Sequence, residues 1–312
     1  MAGCADIKVG YDCNNNCKHC VIAEQRRGAL RKRGNENRTT EECMKEILNS
    51  KLNGKDVIVI TGGEPTIRKD IIDIVKYAKS LGLVICMQTN GRKLRDEKFA
   101  EEVAKYVDYF TIALHGEQAS THDVITCVRG SFDETLEGMK TLVKFTNNVF
   151  IKVVISNYNY KELKGILNIA KTIGVKETNI AFPHANGNAA QYFNEVVPYY
   201  KDIKFYVEEC IKFAEENNIL VEFESILPCI FQEQHNVKYF ADFKYRSQNA
   251  ELKQLDSDTL NWDEVRKNLK RKSEICEECI YTPICEGYWM EYVEERGFDE
   301  FNPIKILETV NK

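Results

Sequence analysis

Residues 57–65 read VIVITGGEP: an almost wholly apolar, β-branched run from Val57 to Thr61 that stops at Gly62, Gly63, Glu64 and Pro65. Such a run suits a strand covered on both faces, as in a parallel sheet flanked by helices. The same rhythm repeats outward from it. Short apolar runs occupy 7–11, 84–89, 109–114, 150–155 and 178–182, with helical patterns at 40–52, 70–81, 99–106, 133–145, 161–173 and 198–217 between or after them. In 70–81, Ile71, Ile72, Ile74, Val75 and Ala78 form one stripe, and Gly82 ends it. Thr40, followed by acidic residues, reads as the N-cap of its helix. Six strand–helix units imply a parallel sheet with right-handed crossovers. Six are too few to close an eight-unit barrel, so the expected fold is α/β, a partial (β/α)6 parallel barrel over residues 1–220. From 221 the rhythm changes. A β-like 220–223 leads to Pro228 and Cys229, a polar stretch at 232–258 shows no clear period, and a basic run at 266–272 precedes a second group of cysteines. Residues 221–312 therefore read as a small Cys-rich domain that depends on a metal centre for stability.

Composition narrows the class. The chain has 312 residues, 43% hydrophobic and 29% charged, with a net charge of −5. That apolar fraction supports a core and excludes compositional disorder. The acidic balance argues against a general nucleic-acid binder. No apolar run approaches the ~20 residues that cross a bilayer, and MAGCADIKVG lacks a signal-peptide core, so the expected location is cytoplasmic, with no membrane partner. Twelve cysteines stand out in such a protein. A reducing compartment disfavours disulfides, so clustered cysteines there point to metal or catalysis. Cys4, Cys43, Cys86 and Cys210 are scattered and read as small buried hydrophobes. Cys13, Cys17 and Cys20 form one tight group; Cys276, Cys279 and Cys285 form another.

CNNNCKHC, residues 13–20, directly follows the first strand. In a parallel α/β sheet the loops at the strand C-termini build the site. Three thiolates can grip three irons of a [4Fe–4S] cube and leave the fourth iron open. A zinc knuckle is the other reading, but zinc wants a fourth ligand, and His19 lies between two of the cysteines. After the second strand, Gly62 and Gly63 let backbone approach a ligand, and Glu64 offers an acceptor for an ammonium group. The third strand ends in Gln88-Thr89-Asn90-Gly91 and the fourth in Leu114-His115-Gly116. Four consecutive strands thus end in ligand-type residues.

These motifs, in this order over residues 7–182, resemble the radical S-adenosylmethionine (SAM) superfamily. The resemblance implies an enzyme. Cys13, Cys17 and Cys20 would bind a [4Fe–4S] cluster whose open iron takes the amine and carboxylate of SAM. Gly62, Gly63 and Glu64 would hold that amine, and His19 occupies the position of an aromatic residue near the adenine. Asn90 would touch the SAM carboxylate or ribose, and Ser156 and Asn157 the ribose. Ala113 stands where many relatives carry Ser, which removes one side-chain hydrogen bond. His115 has two readings, substrate-facing or a satisfied core histidine. The chemistry implied is reductive cleavage of SAM to a 5′-deoxyadenosyl radical that takes hydrogen from substrate. Electrons would come from a low-potential donor, a flavodoxin or ferredoxin.

Cys276-x2-Cys279-x5-Cys285 resembles the twitch or SPASM extension of radical SAM proteins, with Cys229 as the fourth ligand of one auxiliary [4Fe–4S] cluster. A full SPASM domain has a further cysteine where Trp289 stands. Four cysteines around a structural zinc is the alternative. Cys127 lies in a loop where relatives often carry Gly; a cysteine in a similar loop of sulfatase-maturing relatives is catalytic, which makes Cys127 a candidate hydrogen or proton donor, with an inert replacement as the other reading. Arg26, Arg27, Arg31, Lys32, Arg33 and Arg38 form a basic patch that reads as a solvated loop or a contact for an acidic partner. The substrate is expected to be a ribosomally made peptide that is crosslinked, epimerised or oxidised. With the first strand starting near residue 7, no N-terminal leader-binding domain is expected. The alternative is a small molecule handled by a dehydrogenase, epimerase or cyclase. A non-enzymatic metal scaffold would have no use for the GGEP and TNG motifs.

Overall fold

The structure is a computed structural model that describes residues 3–175, 177–231, 237–241, 250–255 and 260–305. The polar stretch at 232–258 therefore lies largely outside the described residues. Seven strands, β1 (Gly3–Lys8), β2 (Lys55–Thr61), β3 (Val84–Thr89), β4 (Tyr109–Ala113), β5 (Val149–Val154), β6 (Glu177–Ala181) and β7 (Leu220–Glu224), pair in sequence order and all in parallel. The sheet continues past β1 into β8 (Ala250–Lys253), which is parallel to it, and then β9 (Leu260–Asn261), which is antiparallel. This is the expected α/β partial barrel, wider than the six strands anticipated: Leu220–Glu224, read as the beginning of the tail, extends the wall beside β6, and β8 and β9 extend the sheet beside β1.

The strand pattern shows why the wall forms and what it encloses. On β4 to β7, Phe110, Ile112, Ile151, Val153, Thr178, Ile180, Val221 and Phe223 are buried. The residues alternating with them, among them Thr111, Lys152, Asn179, Glu222 and Glu224, line the barrel's interior. Strand alternation thus places apolar side chains on the outer face, under the helices, and polar ones on the inner face. Lys152, Asn179 and Glu222 stand in one row across the sheet. The expectation of strands buried on both faces is met least here, because the lumen is a chamber rather than a packed core.

The helices follow their local signals. α1 (Ala23–Arg33) was not anticipated: its buried stripe is only Ala23 and Ala29, too thin to read in a basic sequence, and it carries Arg26, Arg27, Arg31 and Lys32. Helix α2 (Thr40–Leu52) is capped by Thr39 rather than Thr40, since the Thr39 hydroxyl accepts from the Glu42 amide and the Glu42 carboxylate accepts from the Thr39 amide. α3 (Ile71–Ser80) and α4 (Glu97–Ala104) follow, then α5 (Ala119–Thr126), also unanticipated, and α6 (Ser131–Leu142). α7 (Leu163–Ile173) ends on left-handed Gly174, and α8 (Tyr200–Asn217) leads into β7.

The tail shares the barrel's core. Tyr288 stacks on Phe301 at 3.5 Å between ring centres, and Phe182 stacks on Tyr200 at 3.9 Å. Tyr292 meets both Phe182 and Tyr200 edge-on. Such pairs add to the large apolar area each ring buries. The Tyr292 contacts join residues about a hundred positions apart, so no periodic pattern announces them. They give the tail an aromatic core continuous with that of the barrel.

Candidate functional site

A cavity of about 740 Å³ occupies the lumen. Cys13, Cys17, Cys20, His19, Gly62, Gly63, Glu64, Asn90 and His115 all line it, so most of the sequence-chosen residues converge. Its size lies within the ~300–1,000 Å³ of small-molecule sites.

The cysteine loop is fastened from four sides. From β2, the amides of Gly63 and Glu64 donate to the carbonyls of Gly10 and Asp12, both at 2.8 Å. A Cβ on Gly62 would strike the Gly10 carbonyl, and one on Gly63 the Asp12 and Tyr11 carbonyls. These glycines are therefore required by the close approach of the two loops, in addition to any approach by a ligand. From β3, Asn90 Nδ2 donates to Asn14 Oδ1 at 2.7 Å. Arg92 donates to the Asn14 carbonyl at 2.6 Å and to Asn15 Oδ1 at 2.7 Å, while Glu134 holds its Nε at 2.6 Å. From β4, the last carbonyls of α5 accept from the loop: Thr126 from the Asn16 amide (3.0 Å) and Ile125 from the Lys18 amide (2.9 Å). A helix C-terminus has such carbonyls to spare. From β6, Asn188 donates its amide to the Cys20 carbonyl and its Nδ2 to the Cys17 carbonyl, both at 2.9 Å. Arg92 and Asn188 were missed by sequence reading; a polar residue just past a strand's C-terminal end was the available signal.

Glu64 is 3% exposed. Its Oε1 accepts from the Thr66 amide (3.0 Å), the Thr66 hydroxyl (2.6 Å) and the Thr89 hydroxyl (2.6 Å), and Oε2 from the Asn90 amide (2.6 Å). Oε1 is saturated, while Oε2 keeps a lone pair toward a ligand. Burial raises the carboxyl above its ordinary range against these bonds.

Three histidines stand together. The rings of His19 and His115 meet edge-on at 4.4 Å, and those of His115 and His122 lie 5.9 Å apart. The His115 amide donates to His122 Nδ1 (3.0 Å) and the Val154 amide to His115 Nδ1 (3.3 Å). Both rings are thereby held neutral, and burial lowers His19 and His122 to about 4. His115 combines its two sequence readings, since it lines the cavity and its backbone and ring are satisfied. His19 Nδ1 is buried without a partner among the described residues.

Three candidates lie off the cavity lining. Ser156 and Asn157 do not line the cavity. Asn159 Oδ1 accepts from the Ser156 amide (2.7 Å) and hydroxyl (3.2 Å), and Asn157 Nδ2 donates to the carbonyls of Asn194 and Val197. Both side chains secure loops. Cys127 is exposed, off the cavity lining, and sits at φ 57°, the left-handed cap of α5. That conformation explains a position suited to Gly. Its turn is fixed by Asp123, whose carboxylate accepts from Gly130, Ser131 and Phe132.

The donor chemistry suits an iron–sulfur cluster. Cys13, Cys17 and Cys20 all line the cavity, and burial pushes the Cys13 thiol up to about 12 and the Cys17 thiol well above its ordinary value, with Arg26 nearby acting against this at Cys13. Soft donors held protonated by burial are what a metal centre stabilises as thiolates. In the tail, Cys229 is an electrostatic neighbour of Cys276, Cys279 and Cys285, and its sulfur meets the Tyr288 hydroxyl at 2.6 Å. Among the described residues no three Cys, His or acidic groups are closed up to hold a single metal ion as they stand.

Residues 7–170 match the radical SAM superfamily. The chain belongs to that superfamily. Radical SAM relatives in sequence include an AdoMet-dependent heme synthase of Methanosarcina barkeri, 29% identical over 171 residues (54% of this chain, 47% of that protein). A probable GTP 3',8-cyclase of Saccharolobus islandicus is 31% identical over 144 residues, 46% of each protein. The chain spans about half the length of these curated relatives. Radical SAM structures of the same fold include Streptococcus suis SuiB bound to S-adenosylmethionine, TM-score 0.68 at 16% identity, covering 97% of this chain and 76% of that one. Native anSMEcpe with bound AdoMet gives 0.63 at 12% identity over 97% and 93%. The chain accordingly carries a radical SAM domain, and no described helix is long and apolar enough to cross a membrane.

Proposed function

We propose that this chain is a peptide-modifying radical SAM enzyme, with one [4Fe–4S] cluster on Cys13, Cys17 and Cys20 and an auxiliary [4Fe–4S] cluster on Cys229, Cys276, Cys279 and Cys285. The observation that carries the reading is the extent of the fold likeness. It runs through the tail, over 97% of the chain, to SuiB bound to precursor peptide SuiA (TM-score 0.67) and to anSMEcpe with a Cp18Cys peptide (0.62). The sequence matches to the heme synthase and to the cyclase cover only about half of this chain.

When bound, SAM and its cluster supply a 5′-deoxyadenosyl radical that takes hydrogen from substrate. The chain's own residues supply position and dryness. The loop clamps built from Gly63, Arg92, α5 and Asn188 fix the three thiols. Glu64 Oε2, the Gly62–Gly63 backbone and Asn90 would receive the methionine end of SAM, and His19 and His115 would flank the rest. Barrel walls and tail keep water from the reacting centre. A low-potential flavodoxin or ferredoxin would deliver the electron.

A small-molecule substrate is the second reading, and the polar row in the lumen favours it. Lys152 donates to Asn179 Oδ1 at 2.5 Å and pairs with Glu224. The Lys152 charge holds the Glu224 carboxyl below its ordinary value. The test is anaerobic incubation of reconstituted, reduced protein and SAM with short peptides encoded beside the gene, following 5′-deoxyadenosine and peptide mass. Peptide-dependent 5′-deoxyadenosine with a mass change supports the first reading. Stimulation by small molecules and by no peptide moves the assignment to the second.

A further inference from the structure

His184 follows β6 and lines the same cavity as the cysteine loop. Its Nε2 lies 3.0 Å from Glu291 Oε1, and its ring stacks on Trp289 at 4.2 Å with an interplanar angle of 17°. Trp289, 4% exposed, also lines the cavity, and both it and Glu291 come from the tail. The constellation is thus assembled across the junction of barrel and tail. Burial raises the Glu291 carboxyl, but the His184 bond and the charges nearby more than offset this, so it stays ionised below its ordinary value. An ionised carboxylate must accept from Nε2–H. That fixes the tautomer and leaves Nδ1 as the ring nitrogen able to take a proton. Two polar atoms beside the pair, Trp289 Nε1 and Glu291 Oε2, are buried without partners among the described residues. A buried donor and a buried acceptor left open beside an oriented imidazole call for a polar group from outside the chain.

We propose that His184, held by Glu291 and Trp289, is the proton-accepting catalytic residue of this enzyme, acting on a substrate that presents an N–H or O–H group. The X–H bond breaks heterolytically, its electron pair stays on X, and the proton goes to Nδ1. The Glu291 carboxylate balances the imidazolium, which returns the proton to solvent as product leaves. Charges near the pair include Lys270, whose ammonium lies 5.0 Å from the Trp289 ring centre and 3.2 Å from Glu286, and Arg271, which acts on Glu291. The assignment rests on the lumen being the substrate chamber and not on the substrate being a peptide.

Two arms test it. The first needs no substrate. In oxidised holoprotein labelled at its five histidines, with His184 assigned by H184Q, NMR should show the Nε2-protonated tautomer, and E291Q should admit the Nδ1-protonated form as well, since an amide can donate to Nε2 as well as accept from it. An Nδ1-protonated ring, or no response to E291Q, overturns the assignment whatever the substrate is. The second uses the peptide that wild type converts, or the small molecule if no peptide is converted. H184A should retain iron and substrate-independent 5′-deoxyadenosine formation, lose about 100-fold in product formation, and recover part of it with added imidazole. Product formation within threefold of wild type, or a loss that imidazole does not restore, overturns it.

Discussion

Replacing Arg92 with Ala should loosen the cysteine loop without touching a cysteine. The side chain is 14% exposed and makes three bonds of 2.6 to 2.7 Å, to the Asn14 carbonyl, Asn15 Oδ1 and Glu134. Glu134 keeps a partner in the variant, because Arg95 also reaches it at 2.6 Å. The loss therefore falls on the two acceptors of the cysteine loop. An orphaned buried acceptor costs about 1–3 kcal/mol, so the pair should cost about 3 kcal/mol where water reaches one of them. Unfolding entropy of about 2.1 cal/mol/K per residue over 312 residues gives about 0.65 kcal/mol/K, hence a fall of about 4–5 °C in melting temperature. Differential scanning calorimetry of anaerobically purified protein measures this, with iron per chain determined on the same samples. R92K should fall between, since one ammonium cannot serve both acceptors and Glu134 in the same geometry. A shift below about 1 °C with unchanged iron would show that the loop does not depend on this clamp.

Other substitutions follow from the same contacts. G63A should weaken SAM binding about tenfold or more in equilibrium dialysis, because its Cβ meets the Asp12 and Tyr11 carbonyls and overpacking costs about 1–3 kcal/mol; unchanged affinity would refute the loop-approach account. C127A should leave product formation within about twofold, and C127G should raise the melting temperature by about 1–2 °C, since Cys127 is held at φ 57°; a collapse of turnover in C127A would restore Cys127 to the chemistry. Stability should also fall on acidification. His122 titrates near 4 when folded, against an ordinary value of 6.5, so between those values the unfolded chain binds a proton that the folded chain refuses. The contribution is present above pH 6.5 and is lost as pH falls toward 4, about 3 kcal/mol in all. H122Q should flatten that part of the denaturant-midpoint profile, and an equally steep profile would assign the acid loss to other groups.

The barrel was legible because its signals are local and repeat. VIVIT before GGEP, the stripe of Ile71, Ile74, Val75 and Ala78, and thiols straight after the first strand each follow from neighbours in sequence. The inner face was less legible. Thr111, Lys152, Asn179 and Glu222 alternate with apolar residues as on any half-solvated strand, and only closure of the wall shows that they face a chamber. Ser156 and Asn157 show how a polar residue after a strand can serve a ligand or its own loop: Ser156 bonds Asn159, and Asn157 bonds the Asn194 and Val197 carbonyls. His184 and Glu291, 107 residues apart, carry no local signal at all. The tail's aromatic core was hidden for the same reason.

Iron per chain after anaerobic reconstitution, compared among wild type, C13A/C17A/C20A and C276A/C279A/C285A, decides whether the chain holds two clusters. Two [4Fe–4S] sites predict about eight irons in wild type and about four in each variant, with 5′-deoxyadenosine formation abolished only in the first. Unchanged iron in the tail variant, or SAM cleavage that survives loss of Cys13, Cys17 and Cys20, would contradict the account.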